Sequence, residues 1–166
     1  MRHIISILLQ NEAGALARVS GMFSSRGYNI DSLSVAATHD PSVSRLTLVT
    51  SGSDAVIEQI IKQTRKLVDI VEITDLSSTD HLECELLLLK LDAAGANPRE
   101  VLDCIRARGG VILDETGNTR MVQLAGTGVE IDAFVQEIGR LATVLELVRS
   151  GVAAMQRGQL RMAVPA

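Results

Sequence analysis

The 166-residue chain is long enough for one domain or two small ones, and its 46% hydrophobic content is enough for a packed core. With only Phe23, Tyr28 and Phe134 aromatic, that core has to be aliphatic, built from Leu, Ile and Val. A formal charge of −4 with no basic cluster excludes nucleic acid as a main partner, because phosphate binding needs concentrated Lys and Arg.

Met1-Arg2-His3 leads directly into a short strand over residues 2–10, not into the long apolar segment of a signal peptide. Ile5, Ile7 and Leu9 share one face of that strand and Ile4 and Leu8 the other, so it is expected to be central. From Ala15 to Arg26 the period becomes helical, with Leu16, Val19 and Phe23 at i, i+3 and i+7 and Gly27 just past the end. A second strand is predicted from Ile30 to Thr38, a turn over "THDPSVS", and a third strand over "RLTLVT". Ser53 fits the cap of a second helix in which Val56, Ile57, Ile60 and Ile61 face inward, and "LVDIVEITDL" is a fourth strand. The order is β-α-β-β-α-β, the ferredoxin-like topology.

"SSTDH" reads as a linker, after which the pattern restarts. "LECELLLLKLD" is a strand, and "NPREVLDCIRARGG" a helix with Asn97 as cap and Pro98 at its first position. "VILDETGNTRMVQLAG" is two strands around a Thr-Gly-Asn turn, "IDAFVQEIGRLA" a helix and "VLELVRSG" a last strand. Gly14 and Gly95 open equivalent helices, so a unit of about 75 residues is repeated. The expected division is 1–76, a linker 77–81, a second ferredoxin-like domain 82–158, and a flexible tail 159–166. The fold class is therefore α+β, with two tandem βαββαβ domains.

No catalytic constellation is legible. His3, His39 and His81 fall near a terminus, in a turn and in a linker, where solvated surface positions are expected. Cys84 and Cys104 lack metal or redox spacing and are read as small buried thiols of a reducing compartment. The acidic residues form no metal loop, the serines no nucleophile elbow and the glycines no phosphate-binding fingerprint. RNA-binding modules share this topology, but they stack bases on strand aromatics, and "SRLTLVT" and "TRMVQLAG" have none. No apolar run approaches the length of a bilayer span.

What remains is "QNEAGALARVSGMFSSRGYNIDSLSV". A helix N-terminus offers unpaired N–H groups and a partial positive charge to a carboxylate. Gly14 would permit close approach, Asn11 lies just upstream, and Asn29 is placed by this reading at the same region. Asparagine amides can meet both an ammonium and a carboxylate, which would suit a free amino acid. The same residues also fit ordinary turn and cap positions.

The arrangement resembles the ACT domain, a regulatory ferredoxin-like module that binds amino acids between two copies. More narrowly, "LLQNEAGALARVSGMFSSRGYNIDSLSVAAT", "DPSVSRLTLVT", "QIIKQTRKLVDIVEITDL", "VQLAGTGVEIDAF" and "LVRSGVAAMQRG" are similar to the small, regulatory subunits of acetolactate synthase (acetohydroxyacid synthase), in the same order and over nearly the whole chain. That resemblance implies a cytoplasmic, non-catalytic subunit in branched-chain amino-acid biosynthesis, of valine and isoleucine. It would activate a catalytic large subunit that itself carries thiamine diphosphate, Mg²⁺ and FAD, and confer feedback inhibition, usually by L-valine. It further implies a homodimer through the ACT domains, with the effector between them near Asn11, Gly14, Asn29 and Ala36. Backbone N–H groups around Gly14, Ala15 and Leu16 would then take the carboxylate, while Leu16, Ile30 and Leu33 would line the alkyl group. The matching loop of the second half, "LDAAGANPRE", carries Asp92 and Pro98, so it is expected to be a poor amino-acid site. A free-standing tandem ACT-like sensor acting on another partner is the alternative.

Overall fold

The computed structural model describes residues 1–163 and contains four helices and nine strands among them. In chain order these are β1 (Arg2–Gln10), α1 (Ala15–Ser25), β2 (Ser32–Ala37), β3 (Val43–Ser51), α2 (Asp54–Thr64) and β4 (Ile70–Asp75). They continue with β5 (His81–Asp92), α3 (Pro98–Ala107), β6 (Val111–Thr116), β7 (Thr119–Gly126), α4 (Gly128–Ile138), β8 (Thr143–Arg149) and β9 (Ala153–Gln156). The chain packs as two units, and the order βαββαβ is present twice, so the α+β ferredoxin-like reading holds.

In the first unit the strand order is β2-β3-β1-β4, and β1 is central. Both its neighbours run antiparallel to it, with Ile5 opposite Leu48 in β3 and Ile7 opposite Ile73 in β4. Odd-numbered residues Ile5, Ile7 and Leu9 face the helices and join Leu46, Leu48, Val19, Phe23, Ile57 and Ile60 in one buried cluster. On the opposite face Ile4 is buried in a smaller cluster with Val49, Leu76, Val152 and Ala154.

Three local expectations change. The inward stripe of α1 is Ala15, Val19 and Phe23, at intervals of four, while Leu16 is 37% exposed. The small Ala15 lets the first turn lie close to the sheet, and this rotates Leu16 outward. His3 is buried, not solvated, because its pairing with Thr50 places the ring on the helix-facing side of β1. Its two ring nitrogens lie 3.5 Å from Asp54 Oδ1 and 3.5 Å from Asp75 Oδ2. Cys84 is exposed on the outward side of β5, whereas Cys104 is buried as expected.

The second unit has strand order β6-β7-β5-β8 and a core of Leu87, Leu89, Leu91, Val101, Ile105, Val122, Leu124, Ile131, Phe134 and Ile138. Helix α3 is capped as expected: Asn97 accepts from Arg99 N at 3.1 Å, and Pro98 follows. Helix α4 begins three residues earlier than expected, because Thr127 and Glu130 form a reciprocal capping box.

The expected boundary near residue 158 does not follow the packing. The second unit ends at Gly151, and the described residues from Val152 onward pack in the first unit. The physical reason is the second face of β1, whose apolar residues need cover. Arg45 Nη2 donates to Ala154 O at 3.0 Å and Ala163 N to Glu72 Oε2 at 2.8 Å. Ala163 belongs to the segment expected to be a flexible tail, and residues 164–166 of that segment lie outside the described residues.

Candidate functional site

The loop joining β1 to α1 is anchored on both sides. Gln10 N donates to Asp69 O at 2.8 Å, Asn11 N to Ser42 O at 2.7 Å, and Asn11 Nδ2 to Pro41 O at 2.9 Å. Gly14 is the cap residue of α1, with φ 87° and ψ −11°, and it supplies no side-chain bond to the helix start. A left-handed cap without a side chain puts no side-chain acceptor on the first-turn N–H groups. Of the backbone donors expected there, Ala15 N already donates to Glu12 O at 3.2 Å. Ala15's side chain is buried in the core, so it can contribute to a site only through its backbone.

Over this opening lies Arg18, one turn into α1. Its Nε donates to Asp69 Oδ2 at 2.5 Å and its Nη2 to Asp69 Oδ1 at 2.6 Å. The remaining nitrogen, Nη1, stands 2.9 Å from where a Cβ on Gly14 would be. The Asp69 carboxylate is 3% exposed, and the paired guanidinium holds it below the usual carboxylate range against the opposing effect of burial.

The other expected residues lie along β2 and the loop before it. Asn29 Nδ2 donates to Asp31 Oδ1 at 2.7 Å, and Asn29 O accepts from Thr50 Oγ1 at 2.6 Å. Ile30 and Leu33 are half-buried against the first unit's core, and Ala36 is exposed on the strand. The expectation that Asn29 meets Asn11 fails within one chain. Because β2 and β1 both run antiparallel to β3, they are parallel to each other; Ser32 lies level with Ile4, and Ala37 with Leu9. Asn29 and Ile30 therefore sit at the far end of the sheet from Asn11, with Gly14 and Leu16 beyond it; Asn29 and Asn11 are roughly 30 Å apart at the rise of a strand. Ala36, opposite Arg45, is at the Asn11 end.

The matching loop of the second unit is closed by its own side chains. Asp92 Oδ1 accepts from Ala94 N at 2.8 Å, and Asn97 Nδ2 donates to Glu100 Oε1 at 2.9 Å. Gly95 is not the cap of α3 but stands two residues before it, so the helix start that Gly14 leaves open is here filled by Asn97. Among the described residues no group of three His, Cys, Asp or Glu is placed to hold a metal, and no helix is long and apolar enough to cross a membrane.

Residues 5–72 match the family of AHAS small subunit-like ACT domains, and residues 84–158 match the family described as small subunit of acetolactate synthase. The chain belongs to the acetolactate synthase small-subunit family. It is 48% identical over 158 residues to the acetolactate synthase isozyme 3 small subunit of Escherichia coli K12, covering 95% of this chain and 97% of that relative. The acetolactate synthase small subunit of Haemophilus influenzae is 43% identical, with 96% and 98% covered. The crystal structure of the small subunit from Thermotoga maritima superposes with a TM-score of 0.87 at 30% identity, covering 96% of this chain and 99% of that one. For this small-subunit fold, sequence reasoning missed Arg18 and Asp69. Arg18 had a signal, since a helical side chain covers the turn N-terminal to its own position and so reaches back over Gly14. Asp69 had none, because it meets Arg18 from 51 residues away.

Proposed function

We propose that this chain is the non-catalytic regulatory subunit of acetolactate synthase, which activates the catalytic large subunit and makes it sensitive to feedback inhibition by L-valine. The observation that carries the reading is family membership along both halves of the chain, joined to an open, glycine-capped helix start in the first half only. Thiamine diphosphate, Mg²⁺ and FAD belong, in this reading, to the catalytic subunit, and the assembly works in the cytoplasm.

The effector site is shared between two copies. Asn11 and Asn29 cannot meet in one chain, but two-fold antiparallel pairing of β2 edges sets the start of one β2 beside the end of the other. That brings Asn29, Ile30 and Leu33 of one copy toward Asn11, Gly14, Leu16 and Ala36 of the second. The amino acid's carboxylate lies at the α1 opening, its ammonium meets an asparagine carbonyl, and its alkyl group packs on the aliphatic side chains. Valine stabilises the paired arrangement in which the catalytic subunit is less active, a coupling of typically about 1–3 kcal/mol.

The test is calorimetric titration of L-valine into the chain, alone and reconstituted with the catalytic subunit, for wild type and Gly14→Asp. Saturable binding and inhibition in wild type, both lost in Gly14→Asp with activation retained, are expected. Valine inhibition that survives Gly14→Asp would place the effector elsewhere.

A further inference from the structure

The guanidinium of Arg18 is used in an uneven way. Two of its nitrogens grip one buried carboxylate side-on, which fixes the plane of the group. The third, Nη1, makes no hydrogen bond to the described residues and stands 2.9 Å from where a Cβ on Gly14 would be. The bidentate anchor holds Nη1 beside Gly14, where no side chain intervenes, while Arg18 stays 45% exposed and the nearby Glu12 carboxylate adds its charge to the surroundings of the group.

We propose that Arg18 is the residue that recognises the effector's carboxylate, through Nη1, and that Asp69 is its positioning residue. This rests on the amino-acid site proposed above and deepens it. The ligand class follows: an α-amino acid with a free carboxylate, since an uncharged amide offers Nη1 only a neutral acceptor. The same geometry explains why Gly14→Asp should be so damaging. A side chain built at Gly14 starts within contact of Nη1, so the introduced carboxylate takes the donor reserved for the ligand. Gly14→Ala shares the strain of a positive φ but brings no anion, so it should retain more binding than Gly14→Asp.

The experiment compares L-valine with L-valinamide by calorimetry on the full chain with its catalytic subunit, in wild type, Arg18→Gln, Arg18→Lys and Asp69→Asn. Arg18→Gln is expected to weaken valine by about tenfold to a hundredfold, as for a lost charged hydrogen bond, and to leave valinamide unchanged. Arg18→Lys keeps a charge but loses the fork, so it should fall between, as should Asp69→Asn, in which the guanidinium is no longer aimed. A purely structural role would weaken both ligands alike. An unchanged ratio of valine to valinamide affinity in Arg18→Gln, or in Arg18→Lys should the first variant not fold, overturns the assignment. If Gly14→Asp abolishes valine binding while Arg18→Gln does not, this inference alone falls; if wild type binds no valine in the complex, the site reading falls with it.

Discussion

Asp69 is charged at a nearly inaccessible position because Arg18 hydrogen-bonds both of its oxygens. Its folded pKa lies below that of an exposed aspartate, first through the Arg18 hydrogen bond and then through the guanidinium's charge, with burial opposing both. A depressed folded pKa contributes stability that is present above the unfolded value, about 3.9, and is lost as pH falls through the folded one. Thermal unfolding of wild type and Asp69→Asn from pH 7 down to pH 2 checks this. Wild type should be the more stable at neutral pH, and the two should converge in acid. A constant gap across the range would mean that the pair contributes no charge-dependent stability. The same residue separates stability from recognition, since Asp69→Asn should also loosen effector binding at a pH where the fold is intact.

At the scale of the element, β2 is the informative strand. It lies at the edge of its sheet, with Val35 42% exposed and Ala36 and Ala37 exposed beside it, and no proline, lysine or arginine guards it. If two copies join there, Val35→Asp sets like charges close together across the two-fold axis and should convert dimer to monomer. Sedimentation velocity reads the change, and valine binding should be lost with it, while the circular-dichroism spectrum of the monomer stays that of the folded chain. A variant that stays dimeric and binds valine rules out β2 as the joining edge. Most elements were legible because their signals are local: a run apolar on both faces in β1, helical spacing of apolar residues in the helices, Asn97-Pro98 at the start of α3. The direction of β2 was implied by the topology too, since a strand following a crossover helix runs parallel to the first. The error at Asn29 lay in treating proximity to the helix as proximity to its start. The orientation of Leu16 was not readable, because a one-residue rotation of α1 depends on how closely Ala15 approaches the sheet.

At the scale of the whole molecule, the chain leaves the first unit after Leu82 and returns to it at Val152, so the second unit is an insertion with both connections in the first. No periodicity announces such a return. A four-residue strand with two alanines has too little pattern, and its reason lies far away, in the uncovered face of β1. Val152 and Ala154 are 5% and 6% exposed and close over Ile4, Val49 and Leu76. Ending the chain at Gly151 should therefore expose that face, at about 1.5–3 kcal/mol for each large apolar side chain returned fully to water and less for partial exposure. Because the two units need not unfold together, one melting temperature is the wrong readout. Hydrogen exchange resolved by peptide is the better one: β1 and β4 should lose protection in the truncated chain while α3 and α4 keep theirs. Equal protection of β1 in both chains would show that the returning segment covers the sheet without stabilising it. Loss in both units together would show instead that they fold cooperatively, and that the returning strand is what links their stabilities.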